Sequence, residues 1–156
     1  MYKTILVPVD GSELAESVFP HVEALVRQSR SQPVDVILIR VCEPARMVMA
    51  GYGADAIGQA AIIADQAAAA MKEDAEKYLA AVEKRLREAG LKVRTELLEG
   101  DPADEILEYA ANNPVDLIAM ATHGRSGISQ WAYGSVASKV LRGIATPLLL
   151  VTPSKS

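Results

Sequence analysis

A glycine-rich segment near the C-terminal end of the chain has the composition of an anion-binding turn. Gly124, Gly127 and Gly134 allow a ligand to approach the backbone closely, and Arg125 lies among them. The pair Gly134-Ser135 is also predicted to begin a helix, whose free N–H groups and positive dipole end suit a phosphate. No acidic residue lies in this segment. A polyphosphate is therefore the anion that fits it best.

The glycines alone do not decide this, because connections between strands and helices also contain glycine simply to make a turn. The segment lacks the Gly-Lys-Ser/Thr ending of a Walker A loop, and its glycines are spaced too widely for the GxGxxG dinucleotide fingerprint. The composition indicates an anion site without naming the ligand.

Residues able to perform acid–base or nucleophilic chemistry are few and scattered. His123 is interpreted as a hydrogen-bonded turn residue, since the other histidine, His21, lies far away in the first predicted helix. Cys42 is the single cysteine, which excludes an internal disulfide, and it is interpreted as a packed side chain. Ser126 and Ser129 are interpreted as turn residues. We therefore assign no catalytic residue.

Charge is distributed unevenly along the chain. The formal net charge of −4 argues against a general binder of nucleic acids or membrane surfaces. After Asp116 the sequence has no acidic residue and four basic ones, so residues 117–156 have a charge of +4 and the preceding residues −8. This is either a chance fluctuation in a short segment or a sign that this end of the molecule holds an anion.

The composition is that of one ordinary globular domain. Half of the 156 residues are hydrophobic and 23% are charged, which argues against disordered and low-complexity classes. No apolar stretch approaches the roughly 20 residues of a transmembrane helix, and the first residues do not resemble a signal peptide. Together with the single cysteine, this predicts one domain over residues 1–156, located in the cytoplasm and not bound to a membrane.

Short apolar runs alternate with helical patterns, as in parallel strands joined by helical crossovers. Pro20 is expected to kink the first helix. Residues 42–65 contain four glycine or proline residues and are expected to leave the core as a lid, a contact surface or a spacer. Strands are predicted at 4–7, 34–41, 91–98, 115–120 and 148–151, and helices after 12, at 66–89, at 101–112 and from 134.

Two helices have recognisable ends. The helix predicted from Gln66 has Gly90 at its C′ position, and Asp101 and Pro102 fit the N-cap and first residue of the next one. The long helix is predicted to bury one stripe of side chains, made of Met71, Ala75, Leu79, Val82 and Leu86.

Five parallel strands with right-handed crossovers predict an open, doubly wound α/β sheet, flavodoxin-like or Rossmann-like, in the order 3-2-1-4-5. The order reverses between strands 1 and 4. A ligand crevice is expected beyond their carboxyl ends, at residues 8–10 and the turn after Met120.

The residues of this turn resemble a family motif. Ala121-Thr122-His123-Gly124, nine residues at 125–133 and Gly134-Ser135 are similar to the pattern of the ATP-binding branch of the universal stress protein family. That pattern is Gly-x-x-Gly, nine residues, and Gly followed by Ser or Thr, after the fourth strand. The segments at 8–12 and 100–103 are also similar to family patterns, so the resemblance covers nearly the whole chain.

The resemblance implies that the chain binds ATP together with Mg²⁺ or Mn²⁺. Pro8, Val9 and the main chain at Val41 would border the adenine, and Asp10 would accept the ribose hydroxyls, although the residues alone favour Asp10 as an N-cap or turn former. Ser135 would cap the last helix and offer its hydroxyl to a phosphate or the metal. The other motif residues expected around the nucleotide are Ala121, His123, Gly124, Arg125, Gly134 and Val136.

Ala121 stands where the family motif begins with glycine. Its methyl group could crowd the ribose, or its backbone could be unable to adopt a required positive φ. The first alternative to a nucleotide-binding regulatory module is a dimeric interaction protein with an empty pocket. The second is an ATPase, which would be very slow because the sequence has no Walker-type lysine. A flavodoxin-like electron carrier is less favoured, because residues 10–12 do not form a hydroxyl-rich phosphate loop.

The fifth predicted strand implies a partner. It lies at a sheet edge and is uncharged, and an unpaired apolar edge is prone to aggregation. The family resemblance implies that this edge pairs antiparallel with a second copy of the chain across a two-fold axis. The residues of the interface would be Leu148, Leu149, Leu150 and Val151.

Overall fold

The computed structural model describes residues 2–29, 32–44, 57–122 and 134–152. Strands and helices alternate along these ranges. The strands are β1 (Thr4–Pro8), β2 (Asp35–Cys42), β3 (Lys92–Glu99), β4 (Leu117–Ala121) and β5 (Leu148–Val151). The helices are α1 (Glu13–Glu16), α2 (Phe19–Gln28), α3 (Ile57–Glu88), α4 (Pro102–Asn112) and α5 (Ser135–Gly143).

The five strands form one parallel sheet in the order β3-β2-β1-β4-β5, which confirms the predicted fold class and strand order. The chain builds outward from β1 through β2 to β3, and then from the other side of β1 through β4 to β5. The order therefore reverses between β1 and β4, where parallel sheets of this kind open a crevice at the carboxyl ends of the strands.

Both faces of the sheet are covered, because parallel strands of this kind are apolar on both sides. Successive residues of β1 face opposite ways. Val7 belongs to one apolar cluster with Leu79 of α3, whereas Leu6 belongs to the other with Ile106 of α4 and Val140 of α5. The helices α4 and α5 lie on the same face of the sheet, and residues of their first turns line the crevice at the carboxyl ends of β1 and β4.

The first helix corrects a prediction. The chain forms two short helices, α1 and α2, in place of one kinked helix, and Pro20 lies in the first turn of α2. Proline is tolerated there because the first N–H groups of a helix have no partner within the helix.

The long helix α3 begins at Ile57, well before the predicted start, so part of the expected excursion is helical. The alanine-rich sequence at 60–70 explains this, since alanine has the highest helix propensity. Met71 is 52% exposed and not part of the buried stripe, which begins at Ala75 and includes the other predicted residues. At 32 residues α3 is long enough to span a bilayer, but no helix of the described ranges also has the required apolar composition.

The predicted helix ends at Gly90 and Asp101 are confirmed. Gly90 follows α3 with a φ of +91°, a conformation that glycine adopts without strain. The carboxylate of Asp101 accepts the N–H groups of Ala103 and Asp104 at the start of α4, and Pro102 is the first helical residue. These local signals fix where α4 begins, and its first turn forms part of the crevice.

Candidate functional site

A cavity of about 370 Å³ opens where the carboxyl ends of β1 and β4 meet. Its walls come from the ends of β1, β2 and β4 and from the first turns of α1, α4 and α5. A ligand site is predicted here because the strand order changes direction between β1 and β4.

One side of the cavity is apolar. Ile39 and Val41 of β2, Ile106 of α4 and Met120 of β4 line it from the face that α4 and α5 cover. At the end of β1, the N–H of Val9 donates to the carbonyl oxygen of Ile39 at 2.9 Å, which holds the two strand ends together. A wall of this kind suits a flat apolar ring.

Asp10 is the one ionisable side chain among the described residues that line the cavity. Its Oδ1 accepts the N–H of Ser12 at 2.9 Å and the Ser12 hydroxyl at 2.6 Å. Between them Gly11 has a φ of +87°, which lets the chain turn. Both of these contacts use Oδ1, and no hydrogen bond among the described residues engages Oδ2, which can therefore accept hydrogen bonds from a ligand. The turn-forming role of Asp10 is thus observed, while Ser12 is the N-cap of α1.

The start of α5 forms another wall of the cavity. Its first main-chain hydrogen bond runs from the N–H of Ser138 to the carbonyl of Gly134, at 2.9 Å. The N–H groups of Ser135, Val136 and Ala137 therefore precede the first helical hydrogen bond, and all three residues line the cavity. Together with the positive end of the helix dipole they provide a surface that attracts an anion.

One expectation about this helix end is corrected. Ser135 does not cap α5; it is the first helical residue, and the N-cap is Gly134, which has no side chain to contribute. The φ of Gly134 is −49°, not positive, and a Cβ added there would meet none of the described atoms within 4 Å. The described part of the fold therefore leaves room for a Cβ at position 134.

Ala121 is the last residue of β4, paired in register with Val151 of β5, and it lines the cavity. None of the described residues other than glycine has a positive φ. The expected conflict between alanine and a positive φ is therefore absent. What remains of the departure from the family pattern is a single methyl group in the cavity wall.

The charge of Lys139 on α5 is balanced by α4. Its Nζ donates to Asp104 Oδ2 at 2.8 Å and to Asp101 Oδ1 at 3.0 Å, and these hydrogen bonds raise the pKa of Lys139. The pKa of Asp101 is lowered by the N–H of Asp104 that it accepts and by the hydrogen bond from Lys139. Within the described cavity, the attraction for an anion therefore comes from main-chain N–H groups.

The predicted site residues on the described part of the chain lie together. His123, Gly124 and Arg125 lie outside the described residues. All the others line the one cavity: Pro8, Val9, Asp10, Val41, Ala121, Gly134, Ser135 and Val136.

Several lining residues were missed by the sequence analysis. Ile39 could have been found, because it lies two residues before Val41 and so on the same face of β2. Met120 and Thr122 flank Ala121 at the carboxyl end of β4, where the crevice was expected, and could have been included for that reason. Ile106 is visible only once α4 is placed against the sheet.

Comparison with known proteins identifies the family. The model of the universal stress protein family matches residues 1–152. The chain belongs to the universal stress protein family. It is 33% identical to universal stress protein MJ0531 of Methanocaldococcus jannaschii over 155 residues, which cover 99% of this chain and 85% of that protein.

Solved structures of relatives share the fold of this universal stress protein. The structure of MJ0577, also from Methanocaldococcus jannaschii, is 29% identical and superposes with a TM-score of 0.80, covering 100% of this chain and 99% of that one. A universal stress protein family protein from Arabidopsis thaliana, solved with AMP bound, is 15% identical with a TM-score of 0.65. It covers 97% of this chain and 92% of that one, and at this identity the likeness shows the fold alone.

Proposed function

We propose that this universal stress protein is a stress-response module that binds an adenine nucleotide, ATP with Mg²⁺ or Mn²⁺, in the cavity between β1 and β4. One observation carries the proposal: three different surfaces meet in one cavity. These are the apolar wall around Ile39 and Ile106, the carboxylate of Asp10 and the N–H groups that precede the first helical hydrogen bond of α5. They suit, in turn, a base, a ribose and a phosphate.

The choice of an adenine nucleotide is supported by the Arabidopsis relative, which has AMP bound in a protein of the same fold. The choice of a triphosphate rests on the N–H groups at the start of α5 and on the proposed participation of Gly124 and Arg125. Main-chain N–H groups and a guanidinium both attract negatively charged groups, whereas an apolar wall does not. Affinity should therefore increase with the number of phosphates.

The divalent cation would be held mainly by the nucleotide. Among the described residues no group of three or more His, Cys, Asp or Glu side chains could hold a metal ion. The hydroxyl of Ser135, at the start of α5, is the proposed protein ligand, with phosphate oxygens and waters completing the shell. Mg²⁺ commonly keeps several waters in such sites.

We propose that the nucleotide is retained as a signal and not turned over rapidly. Fast hydrolysis requires an oriented water and concentrated positive charge at the γ-phosphate. Of the described cavity residues only Asp10 is ionisable, and its Oδ1 is already engaged by Ser12. A very slow ATPase is the alternative, distinguished by release of inorganic phosphate over hours.

The proposed module is a cytoplasmic homodimer that pairs through β5. This strand is at the edge of the sheet, and Leu148, Leu149 and Leu150 are only partly buried within one chain. A second β5 would satisfy the free backbone groups and cover these side chains. Sedimentation at micromolar concentration should show a dimer; a monomer would contradict this part of the proposal.

Isothermal titration calorimetry tests nucleotide binding directly. In the presence of Mg²⁺, affinity should decrease from ATP to ADP to AMP, and removal of the cation should weaken ATP most. Equal affinities for the three nucleotides would remove the argument for a phosphate site at α5. A dimer that binds none of them would favour the interaction protein with an empty pocket, consistent with the methyl group of Ala121.

A further inference from the structure

Thr122 combines a polar side chain with a buried position. Its relative exposure is 2%, and it is the one buried polar residue within the described ranges. It follows directly on β4 and lines the same cavity as Ala121 and Gly134. A hydroxyl buried at this point requires a hydrogen-bonding explanation.

The contacts of Thr122 join three elements. Its Oγ1 accepts the N–H of Gly134, the N-cap of α5, at 3.3 Å. Its own N–H donates to the carbonyl oxygen of Val151 in β5, at 2.8 Å. The main-chain contact fixes Thr122 to the sheet, and the side-chain contact fixes the start of α5 to Thr122.

We propose that Thr122 is a positioning residue for the phosphate site; this rests on the proposed nucleotide binding. Gly134 has no side chain with which to cap α5, so its backbone is held from outside by the Thr122 hydroxyl. The position of the Gly134 backbone sets the orientation of the three N–H groups that follow it, at residues 135–137. By holding Gly134, Thr122 orients these N–H groups toward the cavity.

The proposal distinguishes Thr122 from a residue that merely fills space. Valine has nearly the shape of threonine but cannot accept a hydrogen bond, whereas serine keeps the hydroxyl. Losing the acceptor leaves the Gly134 N–H unpaired and releases the helix start. Thr122→Val should therefore weaken the binding of the phosphates. It should leave the binding of the base and ribose unchanged, because these would contact other walls of the cavity.

The experiment compares Thr122→Val, Thr122→Ser and the parent by calorimetry with ATP–Mg²⁺ and with adenosine. Thr95→Val is the matched control, because Thr95 lies in β3, paired with Leu38 and away from the cavity. Thr122→Val should bind ATP about tenfold more weakly than the parent. Its adenosine affinity should be unchanged, and Thr122→Ser and Thr95→Val should bind both ligands as the parent does.

Equal loss of ATP and adenosine affinity in Thr122→Val, or parental ATP affinity, would overturn the proposal. If the parent binds neither ligand, the proposed nucleotide binding fails, and amide hydrogen exchange then decides the role of Thr122. The N–H of Ser138 makes the first hydrogen bond of α5. Its exchange should be faster in Thr122→Val than in the parent or Thr122→Ser, and unchanged exchange would overturn the positioning role.

Discussion

A side chain at position 134 should separate phosphate binding from folding. Gly134 has an ordinary negative φ, and a Cβ there meets no described atom within 4 Å, so Gly134→Ala and Gly134→Val should fold normally. Gly134 lines the cavity and directly precedes residues 135–137, whose N–H groups lie at the start of α5. A valine side chain would occupy the position at which a phosphate meets these groups.

The magnitude follows from the hydrogen bonds that would be lost. A hydrogen bond to a charged acceptor contributes about 1.5–3 kcal/mol, and three N–H groups precede the first helical bond of α5. Loss of two of them would cost about 3 kcal/mol or more, which is about a 100-fold loss of affinity. Gly134→Ala, with a smaller group, should show a smaller loss.

Calorimetric titration with ATP–Mg²⁺ measures the loss, and circular dichroism checks the fold of each variant. Gly58→Val is the matched control, because a Cβ at Gly58 also meets no described atom within 4 Å and Gly58 does not line the cavity. If Gly134→Val bound ATP as tightly as the parent does, the assignment of the phosphate site to α5 would be wrong.

Three further predictions concern Asp10 and Ala121 of the cavity and Asp101 at the start of α4. Asp10→Asn keeps an oxygen for the contacts with Ser12 but loses a charged acceptor, so ATP and adenosine should both bind about tenfold more weakly in calorimetry; parental adenosine affinity would contradict a ribose contact. Ala121→Gly removes the methyl group from the cavity wall, so ATP affinity should rise or stay level, and a fall would show that the methyl group contributes to binding. Asp101→Asn retains an N-cap but loses the charge that faces Lys139. Because the pKa of Asp101 is lowered on folding from its ordinary value of 3.8, its charge stabilises the folded state above that value, and this contribution is lost as the pH falls. The difference in melting temperature between the parent and Asp101→Asn should therefore be largest near neutral pH and shrink as the pH falls below 3.8, and a difference independent of pH would contradict the charge argument.

The strand order was predictable because few topologies are compatible with the pattern. Buried runs such as 34–41 are apolar on both faces, which indicates a parallel sheet with helices on both sides. Right-handed crossovers and the lengths of the connections then leave a doubly wound order as the natural solution. The start of α4 was predictable for a different reason, since Asp101 and Pro102 act within one turn of the chain.

Errors arose where a local rule has two outcomes. Proline inside a helical pattern either kinks one helix or begins a second one, and Pro20 does the latter. Met71 continues the apolar period of α3, but among the described side chains of this helix burial begins only at Ala75. Periodicity indicates which residues share a face, not where along the helix that face meets the sheet.

The candidate site was predictable only in part. Asp10 and Gly134 stand out because their chemistry is local: a carboxylate after a strand and a glycine before a helix. The apolar wall combines β2, α4 and β4, so the contribution of Ile106 depends on tertiary packing. The role of Thr122 depends on its hydrogen bond to Gly134, which lies 12 residues away in sequence.

The central claim is that an adenine nucleotide lies between β1 and α5 with its phosphates at the start of the helix. Two-dimensional NMR of the ¹⁵N-labelled protein, titrated with ATP–Mg²⁺ and separately with adenosine, tests this most directly. ATP should shift the amide signals of residues 135–137 and of residues 9–12, whereas adenosine should shift the second group and leave the first nearly unchanged. Shifts confined to other regions, or equal shifts of the α5 amides with both ligands, would contradict the account.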